Sequence, residues 1–123
     1  MPSIQEAMNL GDLLKFEASH FYSRDRVTVA DNQNLKLGCV VAFAPDGLIK
    51  ALNPTAIDSL NEAAGVLIVD ADATLIECDA LIVSRHAVVA HRALIWPAGI
   101  TPEQKNLAIT QLKRLGVLVR IAV

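Results

Sequence analysis

The chain has 123 residues, of which 53% are hydrophobic and 20% charged; this suits one globular domain and excludes a compositionally disordered protein. Eleven Lys and Arg against thirteen Asp and Glu leave a formal charge of −2, without the basic excess of a general nucleic-acid binder. No apolar run approaches the ~20 residues that span a bilayer, and the first residues lack a signal-peptide pattern, so the expectation is a soluble, unsecreted domain.

Residues 1–25 mix apolar and polar groups without a sustained period. Met8, Leu10, Leu13, Leu14 and Phe16 fit a short helical face, but Gly11 interrupts it and no clear cap precedes it. Phe16, Phe21 and Tyr22 place bulky groups where a chain usually frays. The stretch 1–25 is expected to be an arm that becomes ordered on binding, with 26–123 a single β-rich domain. The alternative is an N-terminal helix packed on its own core.

From Arg26 the pattern turns to β. Arg26–Val29 alternates polar and apolar, Asp31–Asn34 is a polar loop, and Gly38–Ala44 is an apolar run. The turn triplet Pro45-Asp46-Gly47 sends the chain back through a hairpin strand at Leu48–Leu52, followed by an irregular loop to about residue 64. Further strands are expected at Gly65–Val69, at Thr74–Ile76 and Ala80–Val83, and at His86–Ala90, with Asp70-Ala71-Asp72 closing the first of them. These apolar runs are continuous, which predicts strands covered on both faces. One helix is well marked. Thr101 and Gln104 form a capping box around Pro102, Ala108, Ile109, Leu112 and Leu115 share a face, and Gly116 is the stop before a terminal strand from Val117. The fold class is mainly β with one C-terminal helix. Leu107 lies off the apolar stripe and is either an exposed Leu or a contact with another subunit.

Constellations that could carry chemistry are weak. Ser84-Arg85-His86 would put Ser84 and His86 on one face of a strand, but no nucleophile elbow surrounds the serine and Asp79 would have to arrive from elsewhere. His86 and His91 have opposite strand parity, and a metal would also need His20, Cys39 or Cys78, without paired ligand spacing. The acids Asp70, Asp72, Glu77 and Asp79 lack the order of an EF-hand loop and read as a solvated turn. Arg24, Arg26, Arg85 and Arg92 are dispersed among acids, and the glycines form no phosphate cradle. Cys39 and Cys78 read as small core residues with reduced thiols. No catalytic residue, metal or cofactor is expected, and the chain reads as a protein that works by binding protein.

Several strings carry a family resemblance. Gly65-Val66-Leu67-Ile68-Val69-Asp70, Arg85-His86-Ala87-Val88-Val89 and above all Ala93-Leu94-Ile95-Trp96-Pro97-Ala98-Gly99 resemble the lambda-type bacteriophage head decoration protein (protein D) family. Leu115-Gly116-Val117-Leu118-Val119-Arg120 is similar to its C-terminal end. Gly11-Asp12-Leu13-Leu14, then Tyr22-Ser23-Arg24 running into Val27-Thr28-Val29, are similar to its arm and first strand, and Asn53-Pro54 also matches. The chain departs from the pattern in its three histidines and at Leu60.

The resemblance implies a non-enzymatic cement protein on the outer surface of the virion capsid, made in the bacterial host cytoplasm. It implies a β-clip-type fold and a homotrimer at the three-fold positions of the expanded head, with the arm on the major capsid protein and no nucleic acid or membrane partner. The arm residues expected to bind the capsid are Leu13, Leu14, Phe16, Phe21, Tyr22, Ser23 and Arg24; those expected at the trimer interface are Trp96, Pro97 and Leu107. Trp96 is read equally well as a core tryptophan. The competing readings are a β module of a complex unrelated to phage, and a small metal-binding or hydrolytic domain using His86 and His91.

Overall fold

The computed structural model describes residues 9–121. Its elements in chain order are α1 (Leu10–Leu13), β1 (Leu14–Glu17), α2 (His20–Ser23), β2 (Arg24–Val29), β3 (Gln33–Leu35), β4 (Val40–Phe43) and β5 (Ile49–Ala51). After a loop with one 3-10 turn come β6 (Gly65–Leu67), β7 (Ala71–Ala73), β8 (Cys78–Val83), β9 (Ala87–Ala90), α3 (Pro102–Leu115) and β10 (Val117–Arg120). The strands β2-β5-β4-β6-β8 close into a barrel, β1-β9-β10 form a separate sheet, and β3 pairs with β7 as a ribbon.

Two cores explain the continuous apolar runs. Val27, Val29, Val41, Ile49, Leu67 and Ile82, drawn from all five barrel strands, fill the barrel interior. Their neighbours of opposite parity, Val40, Ala42, Val66 and Val83, face outward and are buried beneath Leu13, Val89, Leu112 and Val117 of the outer sheet and helices. A strand covered on both faces has no polar positions to alternate with. The barrel is therefore packed solid and is not a ligand cup. Cys39 is buried against the interior, where burial pushes its thiol up to about 11, and half-buried Cys78 packs there too.

Helix α3 forms as its signals predict. The Thr101 side chain accepts from the Gln104 N–H at 3.1 Å, the Gln104 side chain accepts from the Thr101 N–H at 2.9 Å, and Gly116 ends the helix at φ 95°. Ala108 and Leu112 are its buried residues, whereas Leu115 is exposed. The hairpin at Pro45-Asp46-Gly47 also stands, with Val41 opposite Ala51 and Phe43 opposite Ile49. Leu60, the departure from the family pattern, packs on the outer core from the 3-10 turn, so an apolar residue has a place there.

Three expectations need correction. The loop expected at Asp31–Asn34 already becomes strand at Gln33, and the turn expected at Asp70–Asp72 contains its partner. Leu35, Ala71 and Ala73 of this ribbon are buried in the same core as the barrel interior, so tertiary burial overrides the turn-forming acids. The strand expected at Thr74–Ile76 is a bend instead, because the Asp72 carboxylate accepts from both the backbone N–H and the hydroxyl of Thr74. Those bonds also hold the exposed Asp72 below the usual carboxylate range.

The N-terminal segment has a defined place in the fold. Residues 1–8 of it lie outside the described residues, but from Asn9 onward the segment is folded onto the domain. Asn9 caps α1 in a reciprocal box with Asp12, which is the cap the sequence reading lacked. Leu13 is fully buried in the outer core, and β1 runs antiparallel to β9, with Glu17 opposite Ala87. Gly11 stands inside α1 without breaking it.

Candidate functional site

The N-terminal segment exposes three aromatic side chains on a braced frame. Phe16 on β1 is 60% exposed, and on α2 Phe21 is 96% and Tyr22 50% exposed. Glu17, the last residue of β1, holds the start of β2. Its carboxylate accepts from Arg24 Nη2 at 2.5 Å and from Arg24 Nε at 3.1 Å, while Ser23 Oγ donates to it at 2.7 Å. The two-pronged guanidinium contact ties the end of β1 to the start of β2, the Ser23 bond ties in α2 between them, and the contact raises the Arg24 pKa above its ordinary value.

A second brace lies behind α2. Asp25 accepts from Ser84 Oγ at 2.6 Å and from Arg85 Nη2 at 2.7 Å, and Arg85 Nη1 also reaches the Tyr22 carbonyl at 2.5 Å. The Tyr22 ring meets His86 edge-on at 4.9 Å between centroids, and the Arg85 guanidinium lies 5.6 Å from the Tyr22 centroid. His86 takes φ 50°, turning the chain sharply between β8 and β9. Ser84 is thus a buried structural donor, and the expected shared face of Ser84 and His86 disappears because β8 ends at Val83. Beside the network a groove of about 600 Å³ is lined by Tyr22, Asp25, Phe43, Arg85, His86 and Leu115 among others.

The Arg85 hydrogen bonds, with help from Ser84 and against the effect of burial, hold the Asp25 carboxyl below the usual carboxylate range. A folded-state pKa below the unfolded one of ~3.9 adds stability above that value and loses it as pH falls through the folded pKa. Asp25→Asn is therefore expected to flatten the acid limb of a stability profile below about pH 4 in thermal melts. The pair is partly exposed, so the difference should stay within about 1 kcal/mol.

The residues expected to bind the capsid separate into groups. Leu13 and Ser23 are interior, and so are part of the frame and not of its surface. Leu14, Phe16 and Arg24 line one shallow depression of about 320 Å³, whereas Tyr22 faces the larger groove. Of the expected trimer residues, Trp96 and Pro97 share a cavity of about 190 Å³, but Leu107 lines a different, very small one. Trp96 is half-buried against the outer core with Lys105 Nζ 6.0 Å from its ring centroid, so it serves core and surface at once. Sequence reasoning missed Asp25, Arg85 and Lys105 as positioning groups. Asp25 and Arg85 are sixty residues apart and no local pattern links them.

His86 and His91 flank β9 at opposite ends, which sets their Cα atoms roughly 15 Å apart at the rise of a strand. Among the described residues no three His, Cys, Asp or Glu side chains gather into a possible metal site. Likewise, no helix among them is long and apolar enough to cross a membrane.

The sequence matches the family of the bacteriophage lambda head decoration protein D over residues 3–117. The chain belongs to that family. No curated protein matches it. Membership makes it a structural decoration protein of a phage head, acting at the capsid by binding, and it displaces the reading as a module unrelated to phage. The Asp25–Arg85 and Glu17–Arg24 pairs tie α2 to its flanking strands and to the turn after β8.

Proposed function

We propose that this protein forms a homotrimer that seats on the three-fold positions of an expanded phage head, on its outer surface, and cements neighbouring subunits of the major capsid protein. In this reading the first 25 residues are the capsid-facing part, although from Asn9 they are already folded onto the domain. Leu14, Phe16, Phe21, Tyr22 and Arg24 make the contact, while Leu13 and Ser23 support it from within. The observation that carries the proposal is the set of exposed aromatics Phe16, Phe21 and Tyr22 on a braced frame, in a chain of this family. Aromatic anchors dominate protein interfaces, and three such segments per trimer would raise a modest contact by roughly 10²–10⁴ through avidity. The protein would be made in the host cytoplasm and meet the shell there.

The test is to mix purified protein with expanded, undecorated heads and look for density at the three-fold positions. Phe21→Ser/Tyr22→Ser is expected to lower apparent affinity by at least about tenfold with the melting curve little changed, as for loss of interfacial hot spots. Undiminished decoration by that variant would place the contact elsewhere.

A further inference from the structure

The bend between β7 and β8 exposes two adjacent aliphatic side chains, Leu75 at 93% and Ile76 at 73%. Removing large aliphatic side chains from water favours association, so a neighbouring exposed pair is a candidate contact surface. Acids flank the pair in the chain: Asp72, Glu77 and Asp79 are all exposed. The bend is also held in shape by the Asp72–Thr74 hydrogen bonds.

The complementary feature lies on the same ribbon. The cavity of about 190 Å³ has apolar walls from Leu35, Cys39, Ala51, Ile95, Trp96 and Pro97, with Lys36 at its edge. An apolar cavity of about 150 Å³ accepts benzene, so this one has room for a Leu or Ile side chain. Lys36 and the Lys105 beside the Trp96 ring give its surroundings positive charge. Lys36 already lies close enough to Asp72 of the same ribbon to act on its charge, so the charges left to meet across a contact are Glu77 and Asp79 beside the tip and Lys105 beside the hole.

We infer that the Leu75–Ile76 bend of one copy docks into the Trp96 cavity of the next, forming the centre of a head-to-tail interface. The inference rests on the homotrimer reading and names the surfaces that build it. The two surfaces are close together in the fold: the bend follows Ala73, which pairs with Gln33, and the cavity begins at Asn34 one residue further along β3. A contact between two different patches closes into a ring when its rotation returns to the start and runs on as a filament when it does not, so the measured mass tells the two apart. The tip and hole would supply the hot spot; an interface of standard size needs a wider rim around them.

The experiment compares the solution mass of the full chain with that of Leu75→Asp/Ile76→Asp, using light scattering at micromolar concentration. The chain's single tryptophan, Trp96, gives an independent readout of the cavity by fluorescence. The expected result is a wild-type mass near three times 13.2 kDa, with the variant folded by circular dichroism at one third of that mass. Dilution of the wild type through dissociation should shift Trp96 emission to the red. A variant that stays trimeric, or a wild type whose mass falls on dilution while its emission stays fixed, overturns the docking. A variant that fails to fold leaves the dilution experiment to decide. A wild type that is monomeric at every concentration overturns the trimer itself.

Discussion

A chain lacking residues 1–24 is expected to lose its cooperative unfolding transition, not merely its grip on a shell. The segment contributes Leu13, fully buried among Val89, Leu112 and Val117 in the outer core. Truncating a buried leucine to alanine alone removes about 2–5 kcal/mol. The deletion also strips β1 from β9, breaks the Glu17–Arg24 pair and removes the Ser23 carbonyl that accepts from the Ser84 N–H at 3.0 Å. Together these losses are comparable with the 5–15 kcal/mol that stabilises an ordinary domain. Far-UV circular dichroism and a thermal melt check this. A graded version is Leu13→Ala, expected to lower the melting temperature by roughly 10 °C. If the truncated chain keeps a full-height cooperative melt, the segment is a detachable arm, as its irregular sequence suggests.

That contrast shows what the sequence reveals and what it withholds. Helix α3 is legible because every signal for it is local: Thr101, Pro102, Gln104 and Gly116 act within a turn of where they stand. The hairpin from β4 to β5 is legible for the same reason. The barrel strands are legible in kind, since runs such as Val40–Phe43 and Gly65–Leu67 have to be covered on both sides. Barrel closure itself is not, because the bond between first and last strands is made by distant partners such as Val27 and Ala80. The β3–β7 ribbon escapes because its three-residue strands carry Gln33, Asn34 and Asp72, which read as turn formers until Leu35, Ala71 and Ala73 are seen buried in the same core as the barrel interior. The N-terminal segment is hard to read for a related reason. Its apolar residues follow no single period, since Leu13 belongs to one turn of helix and Phe16 to a bulged strand. The exposed aromatics are visible in the sequence, but the pairs beside them are not: Glu17 with Arg24, and Asp25 with Arg85, are chosen by folding.

Gly38→Ala is expected to destabilise the protein by roughly 3 kcal/mol or more, and Gly47→Ala by only about 1–2 kcal/mol. Both glycines hold positive φ, 98° and 87°, so alanine is strained at either. The difference between them is space. A Cβ at Gly47 meets nothing within 4 Å, whereas one at Gly38 runs into the Ala93 carbonyl oxygen. That approach is close because the chain entering β4 lies alongside residues 93–95. The Gly38 carbonyl accepts from the Ile95 N–H at 2.9 Å, the Gly38 N–H donates to Leu67 at 2.8 Å, and Cys39 bridges to Ile95. Alanine at Gly38 has to push the Ala93–Ile95 segment away and give up bonds worth about 1 kcal/mol each. Trp96 is the next residue along that segment, so its ring should lose its seat and its emission should move to the red. Thermal melts and fluorescence of the two variants measure both effects. Equal destabilisation by the two alanines would mean that only backbone strain matters at Gly38 and that the Trp96 segment is free to yield.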